Sequence, residues 1–275
     1  MNSFPLCRLG LAVLLTFAAL LAPAHADMEK IKKAGMLKVA VYSDFSPFSA
    51  GNAGIDVDLA EALATKLGLK LSLLPFPAGE NLSDDLRNMV WKGHYLGYGP
   101  ADVLMHVPVD RRLMADNDKV EILAPYHRET VRLVRSSKTI PNFENLDSLS
   151  GKKIGVEKIS IAAIVLLGEG NGKFRDDVRI YATPIEALQD LKIGKLDAVL
   201  ATQSEIESVF KGDAGFPLSE VSFQRLPPKG WVVGMAVKKN EPELARILQT
   251  ATNELVASGE LSAIFRKHGV QVVSP

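Results

Sequence analysis

The order of strand-like and helix-like stretches in this chain runs once through an alternating unit and then restarts, and that restart constrains the fold more than any other feature. The first unit reads "MLKVAVYS" as a β-branched strand, followed by "GIDVDLAEALATKLG", where Val57, Leu59, Ala60, Leu63, Ala64 and Leu67 fall at helical spacing and Gly68 ends the run. "LKLSLLPF" is the next strand, "NLSDDLRNMVWKG" a helix with Ser83 as its predicted cap, and "ADVLMHV" a third strand. The second unit places strands on "KKIGVEK", "RIYA" and "LDAVLA", and helices on "SIAAIVLLGEG" and "TPIEALQDLKIG", the latter with Thr183 as cap and Pro184 at its first position. Each unit alone predicts a mostly parallel sheet covered by helices, so the chain is expected to be α/β with two lobes. A closing strand, "GWVVGMAVKK", and two helices, "EPELARILQTATNELVASG" and "LSAIFRKHG", have an obvious home back on the first lobe.

Composition supports an ordinary globular protein. The 275 residues are 47% hydrophobic and 23% charged, enough for a real core. The first 26 residues differ: Arg8 is their only charge, Leu9 to Leu21 are mostly apolar, and an Ala-x-Ala pattern ends at Ala26. This reads as a cleaved signal peptide and implies export to the periplasm, with an uncleaved anchor as the alternative. Cys7 is the only cysteine and lies inside that leader, so the remaining chain is expected to form no disulfide and no thiolate metal site. Without Arg8, 31 basic residues face 32 acidic ones, a balance that suggests neither nucleic acid nor an acidic membrane as partner. No other apolar run is long enough to insert in a membrane after cleavage.

These stretches, together with "APYHRETVRLV" as the run leading into the second lobe and "LSGKKIGV" within it, resemble in order and spacing the type II periplasmic solute-binding proteins of family 3. The resemblance spans essentially the whole chain after the leader. It implies a two-lobed clamp with a central cleft and two hinge crossovers, near Glu129 to Leu133 and near Gln224 to Val232. The implied division is residues 1–26 as signal peptide, 27–130 plus 228–275 as the first lobe, and 131–227 as the second. It further implies a receptor for a small polar molecule, with an ABC transporter permease as partner and no cofactor.

Site residues follow from the same resemblance. After the first strand the family offers aromatics to its ligand, and Tyr42, Phe45 and Phe48 stand there, with packing of the lobe core as the other role open to them. Asp56 and Asp58 could suit acid–base chemistry but read more simply as charges at a helix N-terminus. Amino-acid binders carry a Thr-x-x-Arg turn whose guanidinium grips the ligand carboxylate; here "VPVDRR" replaces it, leaving Arg111 and Arg112 either as that grip or as surface arginines on a loop. Where the family presents Gly-Ser/Thr-Thr to the same carboxylate, this chain has Ile159, Ser160 and Ile161, and Ser160 could equally be a helix cap. Thr202 occupies the position of the acid that pairs with an α-ammonium, which argues against an ordinary amino acid as ligand.

Two other readings remain. "ADVLMHVPV" resembles the Asp-Val-Val-x-Gly-Val-Pro pattern of a branch associated with quinoprotein alcohol dehydrogenases, with His106 in place of the glycine. That branch would make the chain an accessory partner of a periplasmic pyrroloquinoline quinone enzyme. His94, Tyr95, Tyr98, Pro100, His106, Tyr126 and His127 are expected near the cleft, as an aromatic wall, a metal site or an inward-packed loop permitted by Gly93, Gly97 and Gly99. A small-molecule lyase is the remaining alternative, although Gly-x-Ser-x-Gly, His-Glu-x-x-His and phosphate-loop patterns are all missing from the sequence.

Overall fold

The computed structural model describes residues 26–275, and the leader reading, with Arg8 and Cys7, falls almost wholly outside them. Helix α1 (Ala26–Ala34) precedes strand β1 (Met36–Tyr42), and a hairpin of β2 (Asp44–Phe45) and β3 (Ser49–Ala50) follows. Helix α2 (Ile55–Lys66) leads to β4 (Lys70–Phe76), which pairs parallel to β1 with Val39 opposite Leu73. Then come α3 (Leu82–Leu86) with a wide helical turn over Arg87–Trp91, β5 (Val103–Pro108), α4 (Arg111–Asp116) and the long strand β6 (Val120–Glu129). The second unit holds β7 (Val131–Arg135), β8 (Ile154–Glu157), α5 (Ile161–Gly168), β9 (Val178–Tyr181), α6 (Pro184–Lys192), β10 (Ala198–Thr202), α7 (Gln203–Phe210) and β11 (Leu218–Ser219). Strand β12 (Trp231–Lys238), α8 (Pro242–Ala257) and α9 (Glu260–Lys267) complete the chain.

Two five-stranded sheets result, ordered β4-β1-β5-β12-β6 and β11-β7-β10-β8-β9. Thr130 alone separates β6, in the first sheet, from β7, in the second, while residues 220–230 carry the chain back to β12 between β5 and β6. Each sheet is buried on both faces. Leu59, Leu63, Leu248 and Phe265 cover one side of the first sheet and Leu86, Met89 and Val90 the other, all essentially inaccessible to water. Burying each such side chain is worth roughly 1.5–3 kcal/mol, which is what holds the helices on the sheet. The second sheet is packed between Leu166 and Phe174 on one side and Leu188, Leu191 and Phe210 on the other. The two units also share a local device: Asp102 accepts from the Lys38 N–H and Asp197 from the Lys153 N–H, both at 2.8 Å. In each case an acid just before a strand ties it to the start of its parallel neighbour.

Several local expectations change. Ser83 lies inside α3, and the cap is Asn81, whose side chain accepts from the Asp84 N–H. The stretch holding Arg111 and Arg112 is a short helix, because Asp110 caps it by accepting from the Leu113 N–H at 2.8 Å. Helix α7 directly after "LDAVLA" has no counterpart in the sequence reading; a capping box between Thr202 and Glu205 starts it. Thr183 and Glu186 form the same box at α6, with Pro184 in the first turn.

Candidate functional site

Tyr42 ends β1, and the tight hairpin after it returns Asp44 and Phe45 beside it. Opposite, the loop 77–82 carries Gly79, Glu80 and Asn81, and the floor is His106 and Pro108 of β5 with Trp231 at the start of β12. Together they enclose a cavity of about 590 Å³ at the C-terminal ends of the parallel strands, where open α/β sheets bind ligands. Asp85 is fixed there: its carboxylate accepts from the Tyr42 hydroxyl at 3.2 Å and from the Gly79 N–H at 2.9 Å. The approach is close, since a Cβ at Gly79 would stand 2.7 Å from Asp85 Oδ1 and push that carboxylate aside. Burial raises the Asp85 carboxyl above its ordinary range, opposed by those two hydrogen bonds, and burial with the Asp85 charge lifts the Tyr42 hydroxyl well above its own.

His106 reaches this cavity through a distortion of β5. Its φ is 60°, in the left-handed region, and the pairing of β12 with β5 shifts register between Gly234 and Ala236 beside it. The ring is 7% exposed and packs 4.1 Å from the Phe48 ring and 4.8 Å from that of Phe45, centroid to centroid. Nδ1 lies 3.2 Å from Asp56 Oδ2, while Asp56 Oδ1 accepts from the Tyr126 hydroxyl at 2.7 Å. A carboxylate only accepts, so the proton between His106 and Asp56 sits on Nδ1. Nε2 has no hydrogen-bond partner among the described residues and belongs to the ring that lines the cavity.

A second chamber of about 210 Å³ continues from the first and crosses to the other lobe. Asp44, Phe45 and Ser46 form one wall; Glu157 at the end of β8, residues 182–185 at the start of α6, and Glu205 of α7 form the other. Glu205 is 7% exposed, and burial pushes its carboxyl up to about 8, with the charges of Glu129 and Glu157 adding to the rise. Its Oε2 accepts from the Thr202 N–H at 2.8 Å; Oε1 takes no hydrogen bond from the protein. Burial, then the charge of Asp44 across the gap, raises Glu157 as well.

The expected site residues divide accordingly. Tyr42, Phe45 and His106 share the first cavity, and Phe48 lies buried behind them against His106 and Phe265. Arg111 and Arg112 are exposed on α4, with Arg112 Nε 3.7 Å from Asp116, and neither lines a chamber. The Ser160 hydroxyl donates to the Glu157 carbonyl and accepts from the Ala163 N–H, and the Thr202 hydroxyl accepts from the Glu205 N–H; both are helix caps. The histidines do not converge, and among the described residues no cluster suited to a metal ion occurs. His94 stacks on Tyr98 at 4.2 Å in the loop, but Tyr95 points outward, 88% exposed, instead of packing in. Asp56 is buried under Tyr126 and His106, so it is more than a helix-end charge. Asp44, Asp85, Glu157, Glu205 and Trp231 were not anticipated. A sequence signal for three of them does exist: Asp44, Glu157 and Glu205 each stand at or just beyond the C-terminal end of a strand.

No protein-family model matches the chain. It is 23% identical over 270 residues to the L-cystine-binding protein TcyJ of Escherichia coli, covering 94% of this chain and 93% of that one. To the L-arginine-binding protein of Pseudomonas aeruginosa it is 28% identical over 244 residues, 84% of this chain and 87% of the relative. Among solved structures, an ancestral cationic amino acid solute-binding protein superposes with a TM-score of 0.69 at 19% identity, over 89% of this chain and all of that one. The unliganded open L-cystine solute receptor of Neisseria gonorrhoeae superposes with a TM-score of 0.61 at 19% identity, over 90% and 98% of the two chains. In fold, then, the chain has the two-lobed architecture of these solute-binding structures. Along nearly its full length it is similar in sequence to proteins named for binding cystine and arginine.

Proposed function

We propose that this chain is a periplasmic receptor that captures a small polar solute between residues 27–130 plus 228–275 on one side and 131–227 on the other, and presents it to an ABC transporter permease. The observation that carries this reading is the pair of chambers joined at Asp44 and Phe45, the inner one roofed by residues of both lobes. Closure about the two crossovers would bring Glu157 and Glu205 towards Tyr42, Phe45 and His106 and exclude water from a bound solute. The relatives named for cystine and arginine, and a structural neighbour described as an amino acid ABC transporter substrate-binding protein with L-arginine bound, support the same role. Binding without turnover is part of the proposal, since a dehydratase match, to the cyclohexadienyl dehydratase of Pseudomonas aeruginosa at 40% identity, covers only 63 residues, 21% of this chain.

Thermal melting against a panel of polar metabolites tests it, because a ligand that binds only the folded state raises the midpoint. The expected result is a concentration-dependent rise for at least one solute, recovered unchanged by mass spectrometry. Recovery of a converted product would make the chain an enzyme. Capture of a quinoprotein dehydrogenase from periplasm with no response to any solute would make it an accessory protein instead.

A further inference from the structure

The two chambers are unusually one-sided in charge. Asp44, Glu80 and Asp85 line the first, Asp44, Glu157 and Glu205 the second, and no lysine or arginine lines either. His106 and Glu205 are more than nine-tenths buried and line the chambers, and each keeps one polar atom, Nε2 and Oε1, without a partner in the protein. Carboxyl groups on both walls with no basic side chain beside them are complemented by a solute that brings N–H groups and positive charge. Tyr42, Phe45 and Trp231 add aromatic surface to the first chamber, against which an organic cation is favoured.

What an α-amino acid would need for its carboxylate is missing. Arg111 and Arg112 lie outside on α4, the Ser160 and Thr202 hydroxyls are engaged in their own helix caps, and Ile159 and Ile161 flank Ser160. A carboxylate brought into this cleft would face five acids and no fixed cation. We infer that the cleft selects an organic amine or guanidinium cation that carries no carboxylate. This rests on the receptor reading and specifies its solute class. The same acids have carboxyls raised by burial and by one another, at Glu157 and Glu205, so an arriving cation draws protons off them. Binding near pH 8 therefore releases protons to the buffer.

Matched pairs differing only in the carboxylate test the inference: agmatine against arginine and cadaverine against lysine, by titration calorimetry, with glutamate, cystine and a neutral sugar alongside. The expected result is that at least one decarboxylated member binds at least about tenfold tighter than its amino acid, the margin set by an uncompensated buried carboxylate. Asp44→Asn and Glu157→Gln should each weaken it by at least about tenfold, since each removes a charge from the wall the two chambers share or face. The double variant Arg111→Ala/Arg112→Ala should leave it unchanged. Equal or tighter binding of the amino acids, or binding of glutamate, cystine or the sugar alone, overturns the inference and leaves the receptor reading standing. A protein that responds to none of these, nor to any small molecule in a periplasmic extract, overturns both.

Discussion

Glu205 stands where a helix cap and a cavity meet, with Oε2 held by the Thr202 N–H and the rest of the carboxyl turned to the chamber. Its folded value near 8 exceeds the ordinary 4.5, so between those limits the folded chain holds a proton that the unfolded chain has lost. The stabilisation from that proton is fully present below the unfolded value and is lost as pH rises through the folded one. Asp85 and Glu157, also raised, add the same sign, whereas Asp58 is lowered by Lys267 and His268 against the opposing effect of burial, and loses its contribution only in acid. The ligand-free protein should therefore melt at a lower temperature at about pH 9 than at about pH 6, and Glu205→Gln, whose amide oxygen can still accept from Thr202, should flatten that fall. Identical slopes for parent and variant would remove Glu205 as the source. Tyr126 poses a simpler test: Tyr126→Phe takes one of two donors from the buried Asp56 carboxylate and should cost about 1–3 kcal/mol in urea denaturation. None of these partnerships was legible in the sequence, because Asp56, His106 and Tyr126 come from three separate elements that only the assembled sheet brings together.

At the scale of elements the sequence was far more informative, since period and capping chemistry are local. The helices over α2, α5, α6, α8 and α9 and the strands β1, β4, β5, β8, β9, β10 and β12 follow from apolar spacing, and Thr183 and Pro184 announce the start of α6. Thr183→Ala should destabilise by about 1 kcal/mol, read as a lower melting temperature, and Glu186→Gln by less, since Gln can still complete the box. Elements that escaped include the ten-residue β6, whose "APYHRE" reads only as the run leading into the second lobe, and several short ones. Helix α4 has six residues, of which only Leu113 and Met114 pack partly against the core, and α7 starts directly after β10 on a single cap, so neither shows a sustained period. The turn between β8 and α5 is an anomaly of a different kind. Ile159 there has φ 62° and is 90% exposed, a conformation that a β-branched residue resists and glycine accepts. Ile159→Gly should relieve more strain than it adds in chain entropy, a net gain of up to about 1 kcal/mol. A destabilised variant would mean that the isoleucine side chain has a contact worth more than its strain.

The whole molecule is laced at the crossovers by more than two strands. Gly230, in the returning segment with φ 65°, lies so close to the outgoing one that a Cβ would stand 1.8 Å from the Glu129 carbonyl oxygen. Residues 271–275 bind over this junction. The Val273 N–H donates to His127 Nδ1 at 3.1 Å, and its carbonyl accepts from the Arg128 N–H at 3.0 Å. The Arg128 guanidinium reaches the Ser274 and Lys229 carbonyls, and the Gln271 N–H donates to Glu207 of α7, in the other lobe, at 2.8 Å. Beneath them His127 Nε2 lies 2.7 Å from Glu129, which also accepts from the Ser204 hydroxyl of α7. Because the Val273 N–H occupies His127 Nδ1, the ring proton is on Nε2, pointing at Glu129, so the tail sets the tautomer that joins the two lobes. Deleting residues 271–275 removes four hydrogen bonds made by their backbone groups and that constraint, and should cost at least roughly 2 kcal/mol at about 0.5–1.5 kcal/mol per bond. Small-angle scattering should then show a larger radius of gyration without ligand, and bound solute should leave faster, since the tie between lobes opposes opening. Ser274→Ala, which keeps every backbone contact, is the control and should match the parent. If the deletion melts and scatters like the parent as well, the tail is merely draped over the crossovers and the two connecting segments alone govern how the lobes move.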